Sequence, residues 1–499
     1  MADAGVPMTL ARIIRAAAAR GRDRPAIVSE ALTLTHGQLA ERIARASNAA
    51  VALRARPGER VALVAPNRAE YVEIVAGLAE AGVLVATLSP RLTRAELAGI
   101  IEDCAPAALI ADPACEAARA AAEAAGVRCV LLGEAWEALL AQASASPPAV
   151  AAETDGFALV YTSGTTGAPK GVVLPHRSRA LIFMAMAGEY GCFGPDDRFL
   201  AVTPMAHGAG FAFACAPLAF GGTVVLAEGS DPERLLAGLA RHAATGVFLV
   251  PTHFARLARL DAGAKPPLPA LKAIISNAAA LAQPFKEMAL DRFGPVLHET
   301  YGSTEAGIVT NIRPADLRRK PGSVGTPFPL VEVAIRREDG AEAAPGETGE
   351  LFVRSPCIFS GYWRRPEATA AALREGWVTV GDLARRDADG FVTIADRKSD
   401  LVITGGMNVM PGEIEAVIAG VPGVREVAVV GVPDPEWGER LAAFVVAGED
   451  RPSEAEILAA CRARLAGFKQ PREVAFVPDL PRSPTGKILK RALRERRAA

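Results

Sequence analysis

The stretch Tyr161-Thr-Ser-Gly-Thr-Thr-Gly-Ala-Pro-Lys-Gly171 decides how this sequence is interpreted. It follows an apolar run, Phe157-Ala-Leu-Val160, which is typical of a buried strand. Residues 162–171 contain three glycines, three threonines, a serine and a lysine. Glycines let backbone N–H groups turn toward an anion, hydroxyls add donors, and the lysine adds a point charge. The loop is therefore predicted to hold phosphate.

The loop differs from that of ATPases and GTPases, which needs a Gly-Lys-Ser/Thr sequence, because Lys170 lies between Pro169 and Gly171. The alternative is a surface turn rich in glycine and threonine, but turns rarely concentrate so many donors. The segment resembles the phosphate-loop signature of the adenylate-forming family, which includes acyl-CoA synthetases, luciferases and amino-acid adenylation domains. That resemblance assigns ATP binding to Thr162, Ser163, Gly164, Thr165, Thr166, Gly167 and Lys170.

Length, charge and cysteine content limit the possible classes of protein. The chain has 499 residues, which suits two or more domains with ample core. A net charge of −1 gives no indication of a basic nucleic-acid-binding surface. Seven scattered cysteines favour a reducing compartment over a disulfide framework, and the N-terminus lacks the pattern of a signal peptide. We therefore expect a cytoplasmic protein.

One uncharged stretch, residues 199–227, is long enough to span a bilayer. However, prolines and glycines interrupt it, and His207 lies inside it. We predict a strand, a turn, a buried helix, a turn and a strand, and no transmembrane segment.

Alternating helical and strand patterns dominate the first part of the chain. Residues 39–52 and 69–81 have helical patterns, and short apolar runs at 60–65, 107–111 and 128–132 are typical of strands. Such alternation implies parallel sheets covered by helices, so the fold class is α/β.

Beyond residue 329 the predicted strands become short and are separated by Gly/Pro turns, as in a small β-barrel or an antiparallel sheet. About 100 residues at the end mix strands and helices, as a separate small α+β domain would. The predicted domains are 1–398, which binds ATP and the acyl group, and a mobile C-terminal domain, 399–499.

His207 lies in Pro204-Met-Ala-His-Gly-Ala-Gly-Phe211, where small residues leave space beside its ring. A lone histidine in an apolar run is more often a satisfied core residue, but the family has a matching histidine beside the acyl-carboxylate site. The resemblance implies that His207, counted with the catalytic residues, positions the acid or its adenylate without attacking it. The side chains predicted to line the acyl pocket with it are Met184, Phe211, Phe213 and Phe254.

Tyr301-Gly-Ser-Thr-Glu305 is a second signature of the family. A carboxylate after a tight glycine turn can bind Mg²⁺, which shields ATP oxygens as pyrophosphate leaves. The alternative is a Thr-Glu pair that opens a helix as its cap and first-turn acid. By resemblance, Glu305 is the metal ligand and Thr304 contacts the α-phosphate, both as catalytic residues. The resemblance assigns further ATP contacts to Glu299, Thr300, Tyr301, Gly302 and Ser303.

Ser276-Asn-Ala-Ala-Ala-Leu281 stands where the family has a Gly-rich segment ending in Pro-Leu that lines the adenine pocket. Asn277 and Ala280 here replace the usual glycine and proline. Small side chains still let a flat base stack, so Ala278 and Ala279 are assigned to ATP binding, with Tyr301 as the stacking ring.

The C-terminal signatures complete the match. Asp382 corresponds to the family's ribose-binding aspartate, and Arg397 to an arginine that supports ribose and phosphate. Ser399 stands at the family's hinge position, where Asp or Lys is commoner.

Gly405, Gly406 and Met407 are assigned to the loop that guides the pantetheine arm of coenzyme A. In Pro481-Arg-Ser-Pro-Thr-Gly-Lys487, the lysine matches the mobile catalytic lysine, which neutralises charge as the carboxylate attacks the α-phosphorus.

Five signatures in the family's order imply an AMP-forming acyl-CoA synthetase that uses ATP, Mg²⁺, coenzyme A and a hydrophobic monocarboxylic acid. A stand-alone acyl or amino-acid adenylating enzyme is the alternative, although residues 205–227 offer no acid to bind an α-amine. A luciferase-type oxidation shares the first half-reaction. A degenerate regulatory protein would be expected to lose Lys487 or Glu305, and both are present. No nucleic acid partner is expected, and a homodimer is compatible with this interpretation.

Overall fold

The computed structural model of the chain describes residues 6–146, 148, 151–162, 169–260, 267–404, 407–435, 437–448, 450–482 and 488–498. Its packing forms two compact units. The first comprises Met1–Val333 and Val353–Val378, and the second comprises Ala334–Phe352 and Thr379–Ala499. This division into compact units does not test where a hinge lies. The predicted domain boundary between residues 398 and 399 therefore stays a prediction.

The elements up to the phosphate loop are α1 (Leu10–Ala18), β1 (Pro25–Val28), β2 (Thr33–Thr35), α2 (His36–Ala49), β3 (Arg60–Val64), α3 (Glu70–Glu80), β4 (Leu84–Leu88), α4 (Arg94–Cys104), β5 (Ala108–Ala111), α5 (Glu116–Ala124), β6 (Arg128–Leu131), α6 (Glu134–Gln142) and β7 (Gly156–Thr162). The next are β8 (Lys170–Pro175), α7 (His176–Tyr190), β9 (Arg198–Ala201), α8 (Gly208–Phe220), β10 (Thr223–Leu226), α9 (Pro232–Arg241), β11 (Gly246–Leu249), α10 (Pro251–Leu257), β12 (Ala273–Ser276), α11 (Gln283–Phe293), β13 (Leu297–Ser303), β14 (Gly307–Ile312) and β15 (Thr326–Pro327). The last are β16 (Glu332–Arg336), β17 (Thr348–Arg354), β18 (Gly361–Tyr362), α12 (Pro366–Ala372), β19 (Leu373–Arg374), β20 (Trp377–Val378), β21 (Asp382–Arg386), β22 (Val392–Arg397), β23 (Val402–Thr404), β24 (Met407–Val409), α13 (Pro411–Ala419), β25 (Val424–Asp434), β26 (Gly438–Ala447), α14 (Glu454–Arg464), β27 (Glu473–Phe476) and α15 (Lys490–Ala498).

Two sheets organise the first unit. One has nine strands in the order β15-β14-β13-β12-β11-β9-β10-β1-β2, and the other has seven in the order β18-β8-β7-β4-β3-β5-β6. In the nine-stranded sheet, the adjacent strands β13, β12, β11, β9, β10 and β1 are parallel, and β15, β14 and β2 join at the edges in antiparallel pairs. In the seven-stranded sheet, β7, β4, β3, β5 and β6 are parallel, and β8 and β18 join in antiparallel pairs. The predicted α/β class with parallel sheets is confirmed.

Capping residues in the sequence fix the starts of two helices in this unit. Thr35 and Gln38 form a reciprocal capping box at the start of α2, and Thr93 and Glu96 do the same for α4. The uncharged stretch forms β9, α8 and β10 as predicted, and α8 is almost fully buried. Among the described helices, none combines the length and apolarity that crossing a bilayer requires.

The second unit contains an antiparallel sheet near its start and an α+β portion at its end. Residues 348–350 of β17 pair antiparallel with β21, which pairs with β22. In the α+β portion, β24, β23, β26 and β25 lie in that order and β27 joins β26 in parallel. Apolar side chains of β25 and β26 alternate between two cores, one with Ile414 and Ile457 and the other with Leu493. The predicted small C-terminal α+β domain is confirmed.

Candidate active site

The two ends of the phosphate loop are fixed by a hairpin. In the antiparallel β7–β8 pair, Thr162 faces Lys170 and Tyr161 faces Gly171. The Tyr161 hydroxyl donates to Asp103 Oδ2 at 2.7 Å, which anchors the strand end. Ser163, Gly164, Thr165, Thr166 and Gly167 lie outside the described residues, so their predicted phosphate contacts stay predictions.

Residues 301–303 end β13, and residues 304–306 form the turn that joins it to β14. Ser303 pairs with Gly307, and the Ser303 Oγ accepts the Ala306 N–H at 3.0 Å. A Cβ at Gly302 would lie 2.1 Å from the Gly307 carbonyl oxygen, so this position requires glycine. The alternative in which Thr304 and Glu305 open a helix is therefore wrong, because both residues lie in a strand–turn–strand corner.

Glu305 is only 8% exposed, and its carboxylate has one defined partner. The Tyr362 hydroxyl donates to Oε1 at 2.9 Å, and the Phe359 N–H donates to the Glu305 backbone carbonyl at 2.8 Å. Among the described residues, no side chain bonds Oε2. One carboxylate oxygen thus has a spare acceptor, which fits a hard cation such as Mg²⁺. In the described part of the chain, no group of three or more His, Cys, Asp or Glu side chains is arranged so that it could hold a metal ion.

Glu299 and Thr300, predicted to contact ATP, are engaged inside the protein. Glu299 Oε2 lies 2.5 Å from Lys286 Nζ, both side chains are nearly inaccessible, and Oε1 accepts the Leu281 N–H at 2.9 Å. Burial raises the pKa of Glu299, and Lys286 opposes that shift. Thr300 Oγ1 donates to the Ser276 carbonyl at 3.3 Å and accepts from Asn277 Nδ2 at 2.7 Å. Both side chains therefore support the neighbouring segment, and their predicted contact with ATP stays a prediction.

That segment follows β12. Ala278 is half-buried and adopts φ +79°, a region that favours glycine, whereas Ala279 is exposed. Asn277, in place of the family's glycine, uses its side chain to fix Thr300. Tyr301, Ser303 and Thr304 are half-buried, so they remain accessible to a nucleotide.

His207 immediately precedes α8 and is half-buried. Its carbonyl accepts the Phe211 N–H at 2.9 Å, and a Cβ at Gly210 would lie 2.1 Å from the Pro204 carbonyl oxygen. Burial, with Arg91 as a smaller cause, lowers the pKa of His207, so its ring is neutral at pH 7. A neutral imidazole can donate or accept a hydrogen bond without adding charge.

Of the residues predicted to line the acyl pocket, the phenylalanines lie in the core and Met184 lies at the surface. Phe211 packs within 6.3 Å of Tyr71 and 6.2 Å of Phe157, measured between ring centroids, and Phe254 is fully buried. Phe213 stacks 4.5 Å from the Phe248 ring. Met184, by contrast, is 49% exposed. These phenylalanines have observed roles in the core, and their contact with an acyl group stays a prediction.

In the second unit, Asp382 and Arg397 lie opposite each other in the β21–β22 register. Arg397 Nε lies 3.2 Å from Asp382 Oδ1, and Asp382 is only 4% exposed. The preceding Thr379, which sequence reasoning missed, accepts the Gly381 N–H at 3.1 Å and donates to Glu350 at 2.8 Å. Gly381 has φ +77°, which lets the chain turn into Asp382.

The remaining predicted residues are only partly described. Ser399 lies in a 3₁₀ turn, Lys398–Asp400, and Met407 is exposed at the start of β24. Gly405, Gly406 and Lys487 lie outside the described residues, so their roles stay predictions.

The sequence matches two family models, "AMP-binding enzyme" over residues 14–363 and "AMP-binding enzyme C-terminal domain" over residues 413–487. The chain belongs to the AMP-binding enzyme family. It is 37% identical to a feruloyl-CoA synthase of an Amycolatopsis species, over 93% of this chain and 94% of that protein. It is 34% identical to a long-chain-fatty-acid–CoA ligase of Mycobacterium tuberculosis, over 93% of each chain. The enzyme is therefore an AMP-forming acid–thiol ligase of the acyl-CoA synthetase type.

Solved structures agree with this assignment. ATP-bound MatB from Rhodopseudomonas palustris is 33% identical, with a TM-score of 0.90 over 97% of this chain and 98% of that one. The amide bond synthetase McbA from Marinactinospora thermotolerans is 32% identical, with a TM-score of 0.89 over the same shares. As a member of this family, the enzyme binds ATP.

Proposed function

We propose that the enzyme converts a hydrophobic monocarboxylic acid into its coenzyme A thioester through an acyl-adenylate. One observation carries this proposal: the helix that starts beside neutral His207 has no charged side chain from Gly208 to Phe220. An acyl group beside this helix would meet apolar surface. The names of the two relatives, which refer to feruloyl and long-chain fatty acyl groups, support a hydrophobic acid.

In the first half-reaction, a carboxylate oxygen of the acid attacks the α-phosphorus of ATP, and the bond to pyrophosphate breaks. We assign Lys487 to neutralise the charge that develops on phosphate, with Thr304 at the α-phosphate. Glu305 would hold Mg²⁺, which shields phosphate oxygens when bound. Asp382 would accept ribose hydroxyls, supported by Arg397. Neutral His207 would orient the acid by a hydrogen bond.

In the second half-reaction, the thiol sulfur of coenzyme A attacks the acyl carbonyl carbon. The bond to the adenylate oxygen breaks, AMP leaves and the thiol proton passes to solvent. Activation is needed because a free carboxylate resists attack by a thiolate and lacks a good leaving group. We assign Gly405, Gly406 and Met407 to guide the pantetheine arm, and Ser399 to the pivot between the two half-reactions.

The alternative is an adenylating enzyme that passes its acyl group to a different acceptor, and the similarity to an amide bond synthetase favours keeping it. Selection of an amino acid would require an acid near the α-amine. Residues 205–227 provide none. The predicted homodimer and cytoplasmic location stay predictions.

A screen tests the proposal: aromatic, medium-chain and long-chain acids are incubated with ATP and Mg²⁺, and AMP release is measured with and without coenzyme A. Hydrophobic monocarboxylates should give acyl-CoA, whereas dicarboxylates and amino acids should not. Lys487→Ala should abolish adenylate formation yet still make thioester from a supplied acyl-adenylate. A loss below tenfold in the first step, about 1.4 kcal/mol of barrier, would contradict the role of the lysine.

A further inference from the structure

A short segment, residues 359–365, crosses the base of the phosphate loop and also contacts Glu305. Its strand β18 pairs with β8, which leads out of the loop, so Tyr362 faces Val172. The Trp363 N–H donates to the Gly171 carbonyl at 2.8 Å. The Phe359 N–H donates to the Glu305 carbonyl at the same distance. One run of backbone thus connects two signatures that are far apart in sequence.

Tyr362 is the residue of this segment whose side chain contacts both signatures. Its hydroxyl donates to Glu305 Oε1 at 2.9 Å, and the Lys170 Nζ lies 5.4 Å from the centroid of its ring. Phe359 packs edge-on against the ring at 5.1 Å, and the Tyr362 N–H is bonded to Thr369 Oγ1 at 2.9 Å. The ring is therefore held from two sides. Because a carboxylate oxygen only accepts, the Tyr362 hydroxyl is the donor of its bond to Glu305.

We propose that Tyr362 is a positioning residue that orients the Glu305 carboxylate toward Mg²⁺ and holds the phosphate-loop lysine beside it. The inference rests on the proposed metal role of Glu305. Donation to Oε1 fixes the rotation of the carboxylate and directs its second oxygen, which no described side chain bonds, to the metal. The aromatic face attracts the Lys170 ammonium without neutralising it, because a ring quadrupole is no counter-ion. Lys170 would thereby keep its charge for phosphate.

Tyr362→Phe tests the hydroxyl and keeps the ring. We expect the Mg²⁺ concentration for half-maximal adenylation to rise about tenfold, equivalent to about 1.4 kcal/mol, because the carboxylate loses the hydrogen bond that fixes its rotation. Saturating Mg²⁺ should restore the rate. The affinity for Mn²⁺ with a non-reacting ATP analogue, measured by electron paramagnetic resonance, should fall by a similar factor. Thioester formation from supplied adenylate should be unchanged.

Tyr190→Phe is the matched control. It removes another buried tyrosine hydroxyl of the same unit, one that has no hydrogen-bond partner among the described residues. Its Mg²⁺ and Mn²⁺ dependence should equal that of the parent. Tyr362→Leu, which also removes the ring, should additionally raise the KM for ATP because Lys170 loses its aromatic neighbour.

A double-mutant cycle with Glu305→Gln separates this inference from the proposed function. If Glu305→Gln alone leaves metal dependence unchanged, the metal role of Glu305 is wrong. If that variant weakens Mn²⁺ binding and Tyr362→Phe adds nothing further to it, positioning is supported. Tyr362→Phe with parental metal affinity, or with a fully additive effect in the Glu305→Gln background, would overturn the inference.

Discussion

Asp382 and Arg397 face each other across two antiparallel strands, and Arg397 Nε lies 3.2 Å from Asp382 Oδ1. The Asp382 side chain is 5% exposed, whereas that of Arg397 is 44% exposed. Strand register therefore presets this pair before any ligand arrives. A carboxylate held in this way can accept hydrogen bonds from two hydroxyl groups at once, as a ribose would require.

Asp382→Asn tests that role. An amide has one acceptor oxygen where the carboxylate has two, so we expect the KM for ATP to rise about tenfold, equivalent to about 1.4 kcal/mol. Steady-state kinetics with varied ATP measures it. Glu342→Gln, which removes an exposed partner of Arg386 in the same unit, is the control. A parental KM in the Asp382 variant would remove this residue from the ATP site.

Three buried histidines should make stability depend on pH. Burial lowers the pKa of His176, His253 and His298 to about 4. Unfolding returns each to about 6.5, so between these values the unfolded chain binds more protons and stability falls as pH falls. Each histidine contributes up to about 1.4 kcal/mol per pH unit within that window.

Urea denaturation at pH 7, 6 and 5 measures this slope. His253→Asn keeps an acceptor near the Val250 N–H, which now bonds His253 Nδ1 at 3.1 Å, and removes one titrating ring. Its stability should therefore vary less with pH than that of the parent. Equal slopes for parent and variant would refute the contribution of His253.

Arg179 on α7 is a buried cation that has no anionic partner among the residues that the structure describes. It is 8% exposed, forms no hydrogen bond or ion pair among the described residues, and burial lowers its pKa to about 10. Replacement of buried charge by an apolar side chain of similar volume often stabilises proteins by about 1–4 kcal/mol. We therefore expect Arg179→Met to raise the thermal midpoint. Arg177→Met, on the same helix but exposed, should change it little. A lower midpoint for Arg179→Met would show that the guanidinium has a stabilising partner.

Sequence patterns predicted the sheets because strand and helix periodicities are local. They also drew attention to Asp382 and Arg397 as candidate site residues, since both lie in recognisable signatures. They missed Tyr362, whose hydrogen-bond partner Glu305 lies 57 residues away. The Gly-Tyr-Trp run after an apolar stretch could have drawn attention to it. Patterns also missed the ion pair of Glu299 with Lys286, because a carboxylate next to a nucleotide signature looks the same whether or not a buried lysine faces it.

Ser399→Pro tests the predicted pivot. Proline fixes φ near −65° and removes a backbone donor, so one of two orientations should become inaccessible. We expect pyrophosphate release from acid and ATP to continue while most thioester formation is lost, an order taken from the family resemblance. Stopped assays for pyrophosphate and acyl-CoA measure the two steps. Near-parental acyl-CoA formation, with a normal circular dichroism spectrum, would move the pivot elsewhere.

In the proposed second half-reaction, a hydrophobic acyl group passes from AMP to coenzyme A. This transfer is tested most directly by incubating the enzyme with ATP, Mg²⁺, a hydrophobic acid accepted in the screen, and equal concentrations of coenzyme A and a primary amine. AMP, free thiol, thioester and amide are then quantified together. We expect one thioester to form and one thiol to be consumed for each AMP released, with no amide. Release of AMP without loss of thiol, with the acyl group recovered as amide, would contradict this, as would acyl-adenylate that accumulates in place of thioester.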